Sequence, residues 1–306
     1  MTVIVRDFRP SDAEAWVGVR RAALPFMVTT PEQVRRDVAD AHPDKRLRLL
    51  VAEEDGEVIG TAQVGIAYET PEPGQAFCNP YIRPDRMGRG AGSLLVRTAE
   101  EYLAGVGAVA VHAWVLDGPS HRAFAEKRGY VASRPAHFLH LDLANSALPP
   151  LQEVPAGVEL LSAADFEGDP RPLFEADAET TSDEPSDTPT ELADYEDWLR
   201  TTWSRPAFDH GLTSVVVVDG EVAAFSVAET DGLTRYWSGM TGTRRAFRGR
   251  GLAKLAKNDS LHRARAAGCT DAYTGNDAAN GPMLAINTWF GYEVCATEVR
   301  HVHRLT

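Results

Sequence analysis

The chain has 306 residues, 43% of them hydrophobic and 25% charged, which is typical of a globular protein with one large domain or two ordinary ones. Its formal net charge of -13 argues against a wide surface for nucleic acid or anionic lipid. The sequence predicts neither a membrane helix nor a secretory signal. Three widely spaced cysteines, Cys78, Cys269 and Cys295, argue against a disulfide framework and favour the cytoplasm.

Hydrophobic periodicity and turn residues predict a regular series of elements in the first half. In chain order these are strand 3–6, helix 15–23, strands 47–52 and 57–67, strand 77–82, helix 93–104, strand 109–115, helix 120–127 and strand 137–143. The second half follows the same plan with strands 214–218, 222–229 and 234–243, helix 252–267, strand 272–274, helix 282–290 and strand 299–305. The predicted fold class is α/β, with a mixed, mostly antiparallel sheet flanked by helices in each half.

Short sequences recur between the halves. Asp-Gly-Glu-Val occurs at 55–58 and 219–222, Gly-Arg-Gly at 88–90 and 249–251, and Gly-Tyr at 129–130 and 291–292. Their offsets of 164, 161 and 162 residues, in the same order, indicate a duplicated domain of ordinary size. Prolines at 149, 150 and 155 predict a stiff linker over 146–156, between domains 1–145 and 157–306.

The sharpest local motif is a glycine-rich turn at 248–253, between a predicted strand and a predicted helix. Glycines allow a tight turn, and the helix that follows presents unpaired N–H groups to an anion such as pyrophosphate. The turn lacks the Gly-Lys-Ser/Thr of a nucleotide triphosphatase loop, and it does not lie in a first βαβ unit followed by an acidic residue. A nucleotide triphosphatase and a Rossmann dinucleotide site are therefore disfavoured.

In this motif the sequence resembles the GNAT acetyltransferase superfamily, in particular its tandem bacterial members. The superfamily signature, Arg/Gln-x-x-Gly-x-Gly/Ala, is matched in full at 248–253. The resemblance implies acetyl-CoA as cosubstrate, no metal, and contacts to the acetyl carbonyl from Thr241, Gly242 and Thr243. It also implies that the pyrophosphate is held by Arg248, Gly249, Arg250, Gly251, Leu252 and Ala253.

Segment 274–292 is similar to the last CoA-binding segment of the family. In that segment an Asn about eleven residues before the closing glycine contacts the pantetheine arm. The resemblance therefore implies cofactor contacts for Asn280 and Met283.

The first half departs from the signature, because Met87 stands where Arg or Gln is required and Gly118 stands in the place of Asn280. Backbone N–H groups can still hold a pyrophosphate there, since that contact needs no particular side chain. The predicted contacts are Gly88, Arg89, Gly90, Ala91, Gly92 and Ser93. The first half either binds CoA without turning it over or serves only as a scaffold.

Acetyl transfer to an amine needs a deprotonated nucleophile, a donor to the oxyanion and an acid for the leaving thiolate. Many GNAT enzymes use as that acid a Tyr four residues before the closing glycine, where this chain has Ala125 and Asn287. An amide does not titrate, so Asn287 can only position the thiol or a water. Tyr236 and Ser238, on the strand before the turn, are the nearest hydroxyl candidates, with core packing as the alternative interpretation.

Segment 165–197 carries thirteen acidic residues against one Arg. The resemblance places it where the family builds its acceptor pocket, so we expect Asp183, Glu184 and Asp187 to attract a cationic amine. A solvated acidic surface is the equally weighted alternative.

The sequence therefore predicts an acetyl-CoA-dependent N-acetyltransferase, acting on a small-molecule amine in its C-terminal domain by direct transfer. The alternatives are a CoA-binding sensor or scaffold without catalysis and an enzyme similar to mycothiol synthase.

Overall fold

The computed structural model describes residues 2–186 and 189–305, which form eight helices and twelve strands. The first half contains β1 (Val3–Asp7), α1 (Ala13–Ala23), α2 (Pro31–Ala39), β2 (Arg48–Glu54), β3 (Glu57–Ile66), β4 (Gln75–Ile82), α3 (Ala91–Gly105), β5 (Ala110–Leu116), α4 (Pro119–Glu126) and β6 (Val131–Asp142). The second contains β7 (Val158–Ser162), α5 (Arg171–Thr181), α6 (Tyr195–Trp198), β8 (Ser214–Val218), β9 (Glu221–Thr230), β10 (Arg235–Thr243), α7 (Leu252–Ala266), β11 (Asp271–Asp277), α8 (Gly281–Trp289) and β12 (Glu293–Arg304).

The chain forms two compact units whose limits cross the repeat. Unit 1 runs to Ala136 and also includes the residues from Ala296 onward, whereas unit 2 is His137–Cys295. The end of β12 therefore belongs to unit 1, and the end of β6 belongs to unit 2. These limits differ from the sequence-based division at 145 and 157, because each repeat gives its last strand to the other unit. The residues between β6 and β7 form neither helix nor strand.

Unit 1 has the strand order β1-β2-β3-β4-β5-β12, in which β4 and β5 are parallel and the other neighbours are antiparallel. The parallel pairing joins residues 75–77 to 110–112 and goes no further, so β4 and β5 separate toward their carboxyl ends. The side chain of Asn79 crosses the start of this gap, since its Oδ1 accepts a hydrogen bond from the Trp114 N–H at 3.3 Å. This separation leaves room for a ligand between two strands of the sheet.

Helix α3 covers the sheet of unit 1 beside this gap. Its Leu95, Ala99 and Leu103 recur at helical spacing and are completely buried against strand residues such as Val64 and Val111. The helix is thereby held by about 1.5–3 kcal/mol for each buried leucine. Its N-terminus is fixed at the mouth of the gap.

Unit 2 repeats the arrangement with the order β6-β11-β10-β9-β8-β7. Its parallel pair, β10 and β11, joins residues 235–237 to 271–273 before the strands separate. One difference is a β-bulge in β10 between Ser238 and Thr241, which re-aims the strand just before the second glycine-rich turn.

The predicted fold, two mixed sheets flanked by helices, is confirmed. The sequence patterns missed α2, β7, α5 and α6. They placed the start of β6 at 137 rather than at Val131, and that of β12 at 299 rather than at Glu293.

Candidate functional site

A cavity of about 630 Å³ opens in unit 1 where β4 and β5 separate. Its walls come from the carboxyl ends of the two strands, the first glycine-rich turn, the start of α3, and α4. Tyr81 and Trp114 line it on the strands, and all the residues predicted for the first turn, 88–93, line it at the helix. Its volume lies within the range of small-molecule and cofactor sites.

The backbone of the first turn is shaped for an anion. Gly88 and Gly90 have φ values of 79° and 91°, in the left-handed region that favours glycine. Gly90 is the N-cap of α3, and no side chain of the described residues caps that helix. The N–H groups of Ala91, Gly92 and Ser93 are therefore oriented to receive a phosphate.

A guanidinium group stands beside this helix N-terminus. Arg128 donates from Nη2 to the Ser93 hydroxyl at 2.5 Å and from Nη1 to the Phe124 carbonyl at 2.7 Å, and it stacks on the Phe124 ring at 3.5 Å. This cation lies at the cavity wall although Met87 replaces the arginine of the signature. Arg128 was not predicted from the sequence, because it lies in the turn after α4, 40 residues after Gly88.

The second turn has the same backbone but different neighbours. Gly249 and Gly251 both have a φ of 77°, and Gly251 caps α7 without a side-chain cap among the described residues. Arg248 donates to the Thr243 carbonyl at 3.1 Å, and its guanidinium also pairs with the carboxylate of Asp183. The remaining predicted turn residues are the exposed Arg250, the buried Leu252 and the half-buried Ala253.

A buried polar network lies in the second unit at the positions that border the cavity in the first. Lys257 on α7 donates from Nζ to Oδ1 of Asn287 on α8 at 2.5 Å, and Asn287 donates to Asn276 on β11 at 2.5 Å. Lys257 and Asn287 are completely buried, and burial lowers the pKa of Lys257 to about 7.

The repeat offset identifies the first-unit counterparts of these three residues. They are Val96, Ala125 and Val115, shifted by 161 or 162 residues, and all three line the cavity. Short apolar side chains therefore line the cavity of unit 1. Longer polar side chains, hydrogen-bonded to one another, stand at the equivalent positions of unit 2. A comparison of the two halves position by position could have revealed this difference from the sequence.

The hydroxyl candidates lie inside unit 2. Tyr236 is completely buried in a hydrophobic cluster and hydrogen-bonds Ser260 at 2.8 Å, and burial raises its pKa to about 12. Ser238 is 1% exposed, and its hydroxyl finds no partner among the described residues. These surroundings match the alternative interpretation, core packing, and a role as catalytic acid stays a prediction.

The three residues predicted at the acetyl carbonyl lie at the end of β10. Thr241 shares a hydrogen bond with Ser226 at 3.0 Å, and Thr243 accepts from Arg248 through its carbonyl. Gly242 packs so closely on α5 that an added Cβ would lie 2.7 Å from the Thr180 hydroxyl oxygen. Their predicted contacts to a ligand stay predictions.

Asn280 and Met283 form the start of α8. The Asn280 side chain accepts a hydrogen bond from the Met283 N–H at 3.3 Å, so it acts as the N-cap of the helix. This bond explains locally why an Asn stands at this position. Cofactor contacts of these two residues stay predictions.

Two of the acidic candidates, Asp183 and Glu184, follow the end of α5 at Thr181. Asp183 pairs with Arg248 and with Arg245, whose Nη2 lies 2.6 Å from Oδ1, and the two guanidinium groups lower the pKa of its carboxyl. The backbone N–H of Glu184 donates to the Thr181 carbonyl at 3.1 Å. Asp187 lies outside the described residues. Asp183 thus forms an ion pair with the second turn, through Arg248.

No cluster of three or more His, Cys, Asp or Glu residues that could hold a metal ion is found in residues 2–186 and 189–305. No helix of that same part of the chain is long and apolar enough to cross a bilayer.

Comparison with solved structures shows the same fold over nearly the whole chain. A GCN5-related N-acetyltransferase from Sphaerobacter thermophilus is 23% identical, with a TM-score of 0.73, over 99% of this chain and 95% of that one. A tandem GNAT protein from the clavulanic acid biosynthesis pathway is 19% identical, with a TM-score of 0.74, over 99% and 98%. A putative acetyltransferase from Pyrococcus horikoshii is 15% identical, with a TM-score of 0.62, over 99% and 90%. No curated protein matches the chain.

The model of the acetyltransferase (GNAT) family matches the sequence twice, over residues 16–130 and 172–286. These two matches correspond to the two halves of the internal repeat and together span most of the chain. The resemblance predicted from the glycine-rich turn is thereby confirmed. The chain belongs to the GNAT acetyltransferase family and has its tandem architecture.

Proposed function

We propose that this protein transfers an acetyl group from acetyl-CoA directly to a small primary amine, and that the transfer takes place in unit 1. The observation that carries the proposal is the cavity between β4 and β5, with the first glycine-rich turn at its edge. Alkyl amines have pKa values near 10, so the acceptor is cationic at neutral pH.

The lining of the cavity suits the parts of acetyl-CoA. The pyrophosphate would lie against the N–H groups of residues 91–93, beside the guanidinium of Arg128. The pantetheine arm would follow the gap between the separating strands, where its amides can meet backbone groups that the sheet leaves unpaired. The thioester would then lie near Tyr81 and Trp114, at the deep end of the gap.

The second unit is a weaker candidate for the same role, although its turn matches the signature in full. Lys257, Asn287 and Asn276 occupy the place of the cavity-lining residues, and Asp183 pairs with the arginine that would meet the pyrophosphate. A carboxylate at that position repels a phosphate. Acetyl transfer in the C-terminal domain, which the sequence favoured, stays a prediction that the following experiment tests.

Titration calorimetry of acetyl-CoA into three proteins separates the two turns: wild type, Gly90→Trp and Gly251→Trp. The two substitutions are matched, because both glycines have a positive φ and no atom lies within 4 Å of an added Cβ at either position. Their backbone strain is therefore similar, and a bulky side chain blocks phosphate approach at one turn only. We expect Gly90→Trp to weaken binding by at least about tenfold, equivalent to about 1.4 kcal/mol, while Gly251→Trp binds like wild type.

Each variant must retain cooperative melting for the comparison to count. Loss of binding that follows Gly251 instead would place the cofactor in unit 2. A wild-type protein that does not bind acetyl-CoA would overturn the acetyltransferase proposal. A wild type that binds acetyl-CoA but releases no CoA thiol with any amine would instead support the sensor or scaffold.

A further inference from the structure

The last strand of the chain brings a carboxylate to the unit 1 sheet. In the antiparallel pairing of β12 with β5, Glu298 lies opposite Leu116, and Arg300 lies opposite Trp114. Leu116 and Trp114 both line the cavity. Because directly paired residues share a face of the sheet, Glu298 lies on the same face as Trp114, at the end where β4 and β5 are apart.

Glu298 is a largely buried carboxylate. Its side chain is 9% exposed, and burial raises its pKa to about 8 despite the opposing charge of Arg300 on the same strand. The Tyr81 hydroxyl on β4 is close enough for the charge of Glu298 to raise the pKa of that hydroxyl. The Arg300 guanidinium lies 5.3 Å from the centroid of the Trp114 ring, as does that of Arg134 on β6.

A cation also lies beside the Tyr81 ring. Arg20 on α1 stacks over the ring of Tyr81 at 4.9 Å and donates to Gln63 at 3.1 Å. The charges of Arg20 and Glu298 shift the pKa of Tyr81 in opposite directions. Tyr81 on β4 thus interacts with Arg20 from α1 and with Glu298 from β12.

We propose that Glu298 is the general base that takes the proton from the acceptor amine in the unit 1 site. This inference rests on the proposed function. The catalytic base beside the cavity of unit 1 would then come from β12, the last strand of the second repeat. The residue equivalent to Glu298 in the first repeat is Ala136, so the first repeat's own last strand has no carboxylate at that position.

The proposed step balances without another reactant. The acceptor ammonium transfers one proton to the Glu298 carboxylate, and the neutral nitrogen attacks the thioester carbonyl carbon. A C–N bond forms and the C–S bond breaks, and the second proton of the nitrogen passes to the departing thiolate. The products are the acetamide and the CoA thiol, and Glu298 returns its proton to solvent. A base whose pKa lies near the working pH is efficient in such a transfer.

The test compares wild type, Glu298→Gln and Glu293→Gln, with release of CoA thiol as the readout and glycine, spermidine and glucosamine as probe amines. Glu293 begins the same strand and is exposed, so its variant controls for loss of a negative charge on β12. We expect Glu298→Gln to lower kcat by about 10² to 10⁴, the usual contribution of a general base. The affinity for acetyl-CoA should change less than about twofold.

The pH profile distinguishes a base from a structural residue. The wild-type kcat should rise with pH and level off near the pKa of Glu298, about 8, and Glu298→Gln should lack this rise. If no probe amine is acetylated, the readout becomes the slow hydrolysis of acetyl-CoA. The attacking water would give its proton to the same carboxylate, that of Glu298.

A Glu298→Gln protein that keeps the wild-type kcat and pH profile would overturn the inference while leaving the proposed function intact. A wild-type protein that fails to bind acetyl-CoA would overturn both. These two results are distinguishable because acetyl-CoA binding is measured separately from turnover.

Discussion

Lys257 is completely buried on α7, where its ammonium meets the amide oxygen of Asn287 rather than a carboxylate. Taking an ammonium out of water is costly, and a single amide repays only part of that cost. Lys257 stands at the position equivalent to Val96, which lines the cavity of unit 1. Three cavity-lining residues of unit 1 thus have longer, polar counterparts in unit 2, and these counterparts lie outside the GNAT signature.

Lys257→Met should make the free energy of unfolding less dependent on pH. The pKa of Lys257 is about 7 in the folded chain and 10.5 in the unfolded one. Between these values the unfolded chain binds more protons, so the free energy of unfolding rises with pH, by up to about 1.4 kcal/mol per pH unit. Urea unfolding at pH 7, 8 and 9 should show this rise in wild type and a flatter profile in Lys257→Met.

Lys254→Met is the matched control for that measurement. Lys254 is only half-buried on the same helix, where it packs over the ring of Trp289 at 3.2 Å. Its loss should leave the pH profile as in wild type. Equal profiles for wild type and Lys257→Met would mean that water or another group satisfies the buried ammonium.

The residues of the site were partly predictable from the sequence. Both glycine-rich turns were predicted, because a tight turn before a helix has a local signature. The roles of Arg128 and Glu298 could not be predicted in that way, because Arg128 follows α4 and Glu298 lies on the strand that pairs with β5. The cavity beside the first turn is lined by short apolar side chains such as Val96 and Ala125. Such side chains have no motif, although the internal repeat provides the comparison that reveals them.

At the scale of elements, the two α-helices that close the repeats begin differently. The N-cap of α8 is Asn280, whose side chain accepts a hydrogen bond from the helix, whereas the N-cap of α4 is Gly118, and α4 has no side-chain cap among the described residues. A capped helix end has fewer free N–H groups to offer a ligand. Asn280, to which the family resemblance assigns a cofactor contact, therefore already accepts a hydrogen bond from its own helix.

Asn280→Ala should destabilise unit 2 by about 1 kcal/mol, the usual cost of losing an N-cap. The affinity for acetyl-CoA should stay that of wild type, because the proposed site lies in unit 1. Denaturant unfolding measures the first effect and calorimetry the second. An Asn280→Ser variant, which keeps a capping oxygen, should recover most of the stability. Weaker acetyl-CoA binding by Asn280→Ala would show instead that Asn280 contacts the cofactor.

The elements themselves were well predicted where the pattern is local. Helix α3 shows helical spacing of leucines and alanines, and the hairpins have Asp-Gly turns, so their positions follow from short-range chemistry. Helix α2 was missed because it is short and buries only Gln33 and Val34. It therefore has almost no apolar stripe by which to identify it.

For the whole molecule, the most consequential feature is the exchange of terminal strands between the two units. Seven residue pairs, from Glu298 with Leu116 to Arg304 with Ala110, join β12 to β5. Repeat spacing could not predict this pairing, because a strand carries no local signal for the sheet that it completes. The same alternating pattern would suit either sheet.

Ending the chain after Cys295 should therefore damage unit 1, although the deleted residues follow unit 2 in sequence. The truncated protein should lose measurable acetyl-CoA binding, because β5 loses its neighbour and the cavity wall loses its support. A synthetic peptide of residues 293–306, added in excess, should restore binding by pairing with β5. Calorimetry with and without the peptide makes this measurement.

The peptide also provides a control. A Glu298→Gln peptide should restore binding but not turnover, which separates the structural role of β12 from its chemical one. Undiminished binding by the truncated chain alone would mean that unit 1 does not need β12.

The exchanged strand also has a consequence for protein synthesis. Residues 2–136 leave the ribosome well before residues 296–304, and at the usual 5–20 residues per second the delay is about 10 to 30 s. During that time β5 is an open sheet edge that could pair with other nascent chains. A ribosome that stalls or ends early releases a first unit without its last strand and its glutamate. The site proposed in unit 1 would thus be complete only after residues 296–304 have been synthesised.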